Sequence, residues 1–400
     1  MNSNVRAVLT GRVSQRADTL LVAAELVDVA AGSQLWGDRF HRKISDIFAL
    51  EEEIARKIYE SLRVKLSGEE KGRLVKRHTE DSEAYQLYLR GRHHWTKRTP
   101  DHVTKGAEYF QKAIDKDPSF ALAYSGLADC YSILAIYSIL PPRTAFARAK
   151  AAAVSAVAFD EELAEGHCSL GFIRAFFDLD WHGSHKAFQR SIELNPSYWV
   201  SRYWYALVLS SVGQFDQAEE QIREGMALEP LSPIVMHGAA CNSLYARRYD
   251  QGIERAMRGL EFDPDYFLLR YWLGIHYSIL GEHVKSVPEL ERAVELCAGK
   301  VSWVLSALAE AHAAAGNLAE ARRILQELED RADSGGVDLG TVGMVHAAMG
   351  ETDEAFKWFQ RAIDACSMPF IFAKADPRLD SARADPRYAE VLQKIHPTPR

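Results

Sequence analysis

The sequence predicts a mainly α chain: an α-α superhelical solenoid of paired helices, preceded by a small α/β segment of three strands plus one helix. Three observations carry this. Helix–proline junctions recur at an even step, from Pro196 to Pro230 to Pro264, which is the period of a paired-helix repeat. Ala, Leu, Glu, Arg and Tyr recur in helix-like spacing, punctuated by only 14 prolines and 25 glycines. Residues 4–40 read differently, as β-branched and apolar runs between turn-prone residues.

Composition narrows the function classes. The chain has 400 residues, 47% hydrophobic and 26% charged, which is enough apolar material for a sizeable core and rules out a mainly disordered chain. The net charge of −7 argues against general nucleic-acid binding. Cys130, Cys168, Cys241, Cys297 and Cys366 are too scattered for a zinc knuckle or a CxxC pair, which suits a reducing compartment. No apolar run reaches the length of a membrane span. The early charges Arg6, Arg12, Arg16, Asp18, Glu25 and Asp28 are not those of a signal peptide. These features predict a cytoplasmic protein.

The first segment, residues 1–66, begins with VRAVLTGRV, TLLVAAELVDV and SQLWGDRF, read as three strands joined by two hairpin connections. A helix follows from Ser45 or Asp46, either of which can cap it. Ile47, Leu50, Ile54, Ile58 and Leu62 form its apolar stripe. Glu51, Glu52 and Glu53 lie towards its positive end, and Arg56, Lys57, Arg63 and Lys65 further on. The mixed charges of residues 67–82 read as a solvated linker or helix extension rather than a binding tail.

From residue 83 to 369 self-similarity dominates. IDKDPSFALAY, IELNPSYWVSRY, ALEPLSPIVMH and LEFDPDYFLLRY repeat one junction, and AFDEELAEGH carries Glu161 where the others carry proline. Such junctions separate about eight helix pairs. Residues 370–400 contain KADPRLDSARADPRYAEVLQKI. Its two DPR motifs start short helices, and Leu379, Tyr388, Val391, Leu392 and Ile395 are placed to cap the exposed apolar end of an array.

At residue level the array resembles the tetratricopeptide-repeat (TPR) family. That family needs small residues where its paired helices approach and larger apolar residues between them. Tyr205, Ala206, Leu209, Gly213, Ala218, Ile222, Gly225 and Pro230 fit one unit without a gap. Leu273, Gly274, Tyr277, Gly281, Leu290 and Ala293 fit another. The resemblance covers most of the chain and implies a concave groove. Two departures, the insertion SILAIYSILPPRTAF and a unit without its closing proline, imply irregular curvature.

The opening segment resembles the second half of the TolB-like N-terminal domain. The likeness lies in the strand around Gly11, the LVDVAAGSQLWGDRF strand pair and the DIFALEEEIA helix from Asp46. In that family a first α/β half precedes it, often with a protein kinase, adenylate cyclase or winged-helix module before that. The chain therefore reads as the C-terminal part of a longer architecture. Its few strands make a poor independent core, so the segment is expected to dock on the first repeats or to expose an edge strand.

Chemistry-bearing motifs are scarce. No GxxxxGK[ST], GxGxxG after a strand, GxSxG, HExxH, HRD or DFG occurs. Asp178, Asp180, His182 and His185 form the best metal candidate, against the plainer reading of a turn in which Asp180 or Ser184 caps the next helix. No catalytic residue, metal or cofactor is expected.

The groove is the candidate site. In the TPR family the first helix of each unit lines the concave face. The matching positions here are Phe172 and Phe176, then Tyr203 and Trp204, His237 and Tyr245, Tyr271 and Trp272, and Trp303. These rings are either partner anchors or packing between helices, including against a helix folded back into the groove. The basic residues of the chaperone-binding carboxylate clamp are missing, so an apolar or aromatic-anchored peptide or helix fits better. The resemblance implies a non-catalytic protein–protein interaction scaffold in bacterial signalling. The alternative is a regulatory or sensor region of a kinase, cyclase or winged-helix regulator. Association through the N-terminal edge strand is a further expectation.

Overall fold

The computed structural model describes residues 7–43, 46–62, 78–332, 335–365 and 369–395. Ser45, Arg63, Lys65, Cys366 and most of the 67–82 linker lie outside the described residues. The chain divides into two compact units, Met1–Leu87 with Lys112–Phe120, and Tyr88–Gln111 with Ala121–Arg400.

In the first unit, strands β1 (Ala7–Arg16), β2 (Thr19–Asp28) and β3 (Ser33–Lys43) form an antiparallel sheet in that order. Ala17 and Gly32 take left-handed φ values of 52° and 59° at the two reversals. Asp28 closes the second reversal by accepting from the N–H groups of Ala30 and Ala31 at 2.9 and 2.8 Å. Helix α1 (Ile47–Leu62) lies beside β3. Leu20, Phe40, Ile47 and Leu50 form a small core, with Tyr85 packed against it. Phe48 meets the Tyr85 ring at 5.0 Å, and the Tyr85 hydroxyl donates to Glu51 at 2.9 Å. Strand β1 leaves Val8, Leu9 and Val13 exposed.

Eight helix pairs follow in the chain. They are α2 (Ser82–Lys97) and α3 (Pro100–Lys116), α4 (Ala121–Ile136) and α5 (Pro142–Phe159), α6 (Ala164–Phe176) and α7 (Trp181–Leu194), and α8 (Trp199–Ser211) and α9 (Phe215–Leu228). Then come α10 (Pro233–Tyr245) and α11 (Tyr249–Phe262), α12 (Phe267–Ile279) and α13 (His283–Leu296), α14 (Ser302–Ala314) and α15 (Leu318–Ala332), and α16 (Leu339–Ala348) and α17 (Thr352–Asp364).

The two helices of a pair have different environments. Twelve of the thirteen residues of α10 are buried, whereas in α11 only Gly252, Ala256, Gly259 and Leu260 are. The first helix is covered on all sides, and the second presents one small-residue stripe inward and a polar face outward. Small residues let the paired backbones approach. A Cβ on Gly171 would lie 2.9 Å from the Phe188 ring, and one on Gly343 2.5 Å from Phe359.

Most of the junctions share one turn, the Pro230 junction with its Glu229 excepted. Asn195 accepts from the N–H of Ser197 at 3.1 Å, and Asp263 from that of Asp265 at 3.3 Å. Asp160 makes the same bond to Glu162 at 3.2 Å, so the turn survives where Glu161 replaces proline.

After α17, two 3₁₀ turns (Pro369–Lys374 and Pro377–Leu379) lead into α18 (Asp380–Arg383) and α19 (Arg387–Ile395). Both DPR motifs work as caps. Asp376 accepts from the N–H of Arg378, and Asp385 from that of Arg387. Leu379, Tyr388, Val391 and Ile395 are buried, with α19 against α17.

Candidate functional site

The first helices of successive pairs place a continuous run of rings on the inner face of the second unit. Phe176 stacks on Phe172 with centroids 4.3 Å apart, and Phe172 meets Trp204 at 4.2 Å. Trp204 meets Tyr203 at 4.8 Å, and Tyr203 meets His237 at 5.9 Å. Trp272 follows His237 and touches both Tyr245 and Tyr271, and Tyr271 meets Trp303 at 4.6 Å. All nine candidate residues line one cavity of about 100 Å³. None is more than 8% exposed, so they wall a narrow space rather than an open trough.

Three other parts of the chain close that space. Arg98, in the turn between α2 and α3, lies over Trp204 and Tyr203. Tyr137, in the insertion after α4, meets Trp303 at 6.0 Å, and the Trp303 indole donates to the Ile136 carbonyl at 3.2 Å. Lys300 reaches Asp101 at 2.5 Å, so the second unit contacts itself across most of its length. The C-terminal segment supplies the rest. Phe372 stacks on Tyr245 at 4.7 Å and meets Phe176 at 6.0 Å. Arg378 pairs with Asp376 at 2.6 Å and Glu310 at 3.5 Å. Asp380 holds both outer nitrogens of Arg247 at 2.7 Å.

Burial fixes the protonation of the polar groups here. His237 is pushed down to about 3 by desolvation, then by the Arg98 charge, and is neutral. Trp272 donates to its Nδ1 at 2.6 Å. An indole N–H only donates, so the imidazole proton sits on Nε2. Burial raises the carboxyl of Glu310, with Arg378 opposing. It also raises the thiols of Cys130, Cys168 and Cys241, which keeps them as unreactive thiols.

The candidate metal cluster is dispersed among ordinary partners. Asp178 pairs with Lys150 at 2.8 Å, Asp180 caps α7 by accepting from the N–H of Gly183 at 2.8 Å, and His185 bonds the Tyr205 hydroxyl. Among the described residues, no three such side chains are placed to hold a metal ion.

Two stretches of the chain match tetratricopeptide-repeat family models, residues 187–220 and residues 302–327. Both stretches lie within the array of paired helices, which carries tetratricopeptide repeats there. In sequence, the chain is 33% identical over 124 residues to a Rhizobium meliloti (strain 1021) protein named "Putative adenylate cyclase 3", covering 31% of this chain and 21% of that protein. It is 27% identical over 172 residues to the transcriptional regulator HilA of Salmonella typhimurium, covering 43% and 30%. The chain thus spans less than a third of either relative. Among solved structures it is similar to yeast Tom70, with 17% identity, a TM-score of 0.46, and 79% of this chain and 68% of that one covered. It is also similar to the Cut9–Hcn1 hetero-tetramer of APC/C, with 14% identity, a TM-score of 0.47, and 80% and 54% covered.

The aromatic positions were legible from the repeat register. Arg98, Tyr137, Phe372 and Arg378 were not, because each lies outside the repeat positions that face the groove.

Proposed function

We propose that this TPR array is a non-catalytic scaffold for protein–protein interaction. Its inner face, built on Phe172, Phe176, Tyr203, Trp204, His237, Tyr245, Tyr271, Trp272 and Trp303, takes a peptide or helical segment of a partner. One observation carries the reading: that face holds a stretch of the chain's own C-terminal segment. Phe372 lies against Tyr245, and Arg378 against Glu310. A partner segment with an aromatic and a basic side chain at similar spacing would compete for the same contacts.

The names of the two sequence relatives favour a second reading, in which the array is the regulatory region of a signalling protein. In that reading residues 1–66 are the second half of a TolB-like domain, and β1, at the edge of the sheet among the described residues, offers its free side for association. A cytoplasmic bacterial setting suits both readings.

The test is a capture experiment with the full chain carrying Phe372→Ala, which loosens the internal segment. A bacterial partner should be retained more by the variant than by the parent, and a peptide of residues 369–380 should displace it. Retention that the peptide leaves untouched would remove the groove assignment.

A further inference from the structure

The inner cavity carries hydrogen-bond donors that lack acceptors. Arg98 is 2% exposed and lies between the faces of Trp95 at 3.9 Å and Trp204 at 5.1 Å. Its Nε and Nη2 form one edge of the guanidinium, the edge that grips a carboxylate with two parallel bonds. Both are buried without a hydrogen-bond partner, and among the described residues Arg98 has no ion-pair partner. The Trp204 Nε1, from another wall, is also buried and unpartnered. His237 adds the N–H of its Nε2, since its Nδ1 is taken by Trp272.

The carboxylates near the cavity are already engaged. Asp376 and Glu310 both face Arg378, and buried Asp129, which feels the Arg98 charge without pairing with it, accepts from the Ser169 hydroxyl at 2.6 Å. A guanidinium out of water whose Nε and Nη2 meet no acceptor is an incomplete arrangement, because buried charges are ordinarily paired and hydrogen-bonded. Apart from Thr341 and Arg378, which is held by Asp376, the remaining walls are mainly apolar and aromatic. Such a combination, a concave apolar space with a few convergent polar groups, is that of a small-molecule site.

The geometry points to a binding site for a small organic anion, a carboxylate on a short apolar body. Its charge is met by Arg98, with the Trp204 and His237 N–H groups as further donors, and its body lies among Phe172, Tyr203 and Trp272. The volume sets the size. A cavity of about 150 Å³ accepts benzene, so the smaller space here suits a compact branched acid with no more heavy atoms than benzene, such as isobutyrate. The site shares walls with the peptide reading but does not rest on it. A chain that refuses small acids could still hold a partner segment, so the two fail separately.

The test is calorimetric titration of the full chain with three probes: isobutyrate, its uncharged isostere isobutyramide, and inorganic phosphate. Isobutyrate is expected to bind saturably, with the amide weaker by about tenfold or more because it forfeits the charge-assisted bonds. Phosphate is expected to bind more weakly than isobutyrate, because it leaves the apolar walls unused. Arg98→Met should erase the preference for the acid over the amide. Trp204→Phe keeps a ring in place and should weaken isobutyrate several-fold. Equal affinity for acid and amide, or no saturable binding of isobutyrate, overturns the proposal. Should Arg98→Met fail to fold, the acid-to-amide ratio of the parent and the Trp204→Phe variant decide it.

Discussion

Phe372 stacks on Tyr245 with the rings 10° from parallel, which ties the C-terminal segment to the middle of the array. Phe372 is half-buried, so its truncation should cost roughly 1–3 kcal/mol, borne by that segment first. In Phe372→Ala, amide exchange should quicken across residues 369–379 while α8 and α10 keep their protection. Uniform loss of protection throughout the second unit would show that the segment is part of its indivisible core.

Trp272 has a structural duty that limits how the inner face can be probed. Trp204 and Trp272 are only 3% and 5% exposed, so replacing either with alanine should cost about 3–5 kcal/mol. Lost binding in those variants would then report unfolding. Trp272→Phe is the more informative change. It keeps a ring but strips the buried His237 Nδ1 of its donor, which should cost about 1–3 kcal/mol. Urea denaturation of this variant and of His237→Phe should give a smaller loss for the pair together than the sum of the two.

Phe110 is held between two glycines. A Cβ on Gly91 would lie 2.7 Å from its ring, and one on Gly126 2.5 Å. Gly126→Ala should destabilise the chain by about 1–3 kcal/mol through overpacking. Phe110→Leu removes the ring edge that clashes, so it should recover part of that loss in the double variant. Strictly additive losses in denaturant titrations would mean that the ring is not what excludes the methyl group.

The repeat was legible because its physics is local. Outer helices carry a stripe of small residues over a polar face, and most junctions carry an Asx turn, so Gly252, Ala256 and Asp263 announce their places within one period. The DPR caps were legible for the same reason, since Asp376 and Asp385 bond N–H groups two residues on. The inner wall was only half legible. The repeat register put Tyr203, Trp204 and Trp272 on it, but their burial depends on Arg98, Tyr137 and Phe372, which arrive from distant positions. Periodicity says which way a side chain faces. It does not say whether the chain later returns to cover it.

His276 makes the stability of the array depend on pH in a direction that can be worked out. It is wholly buried, and its Nε2–H donates to the Ala240 carbonyl at 3.1 Å. Gly252 leaves room for the ring, since a Cβ there would lie 2.1 Å from it. Desolvation pushes the imidazole down to about 4 from an ordinary value near 6.5. The unfolded chain therefore takes up a proton that the folded chain refuses. The stabilisation is fully present above about pH 6.5 and is lost as the pH falls towards 4. At pH 5 the loss from this one group is about 2 kcal/mol. His237 acts in the same direction, while Asp129, raised to about 6 by burial, acts in the opposite one. The whole-chain profile mixes these, so the clean measurement is a difference. Between pH 7.5 and pH 5, the parent should lose about 2 kcal/mol more than His276→Gln in urea titrations. Parallel profiles for the two proteins would mean that His276 protonates in the folded chain as readily as in water.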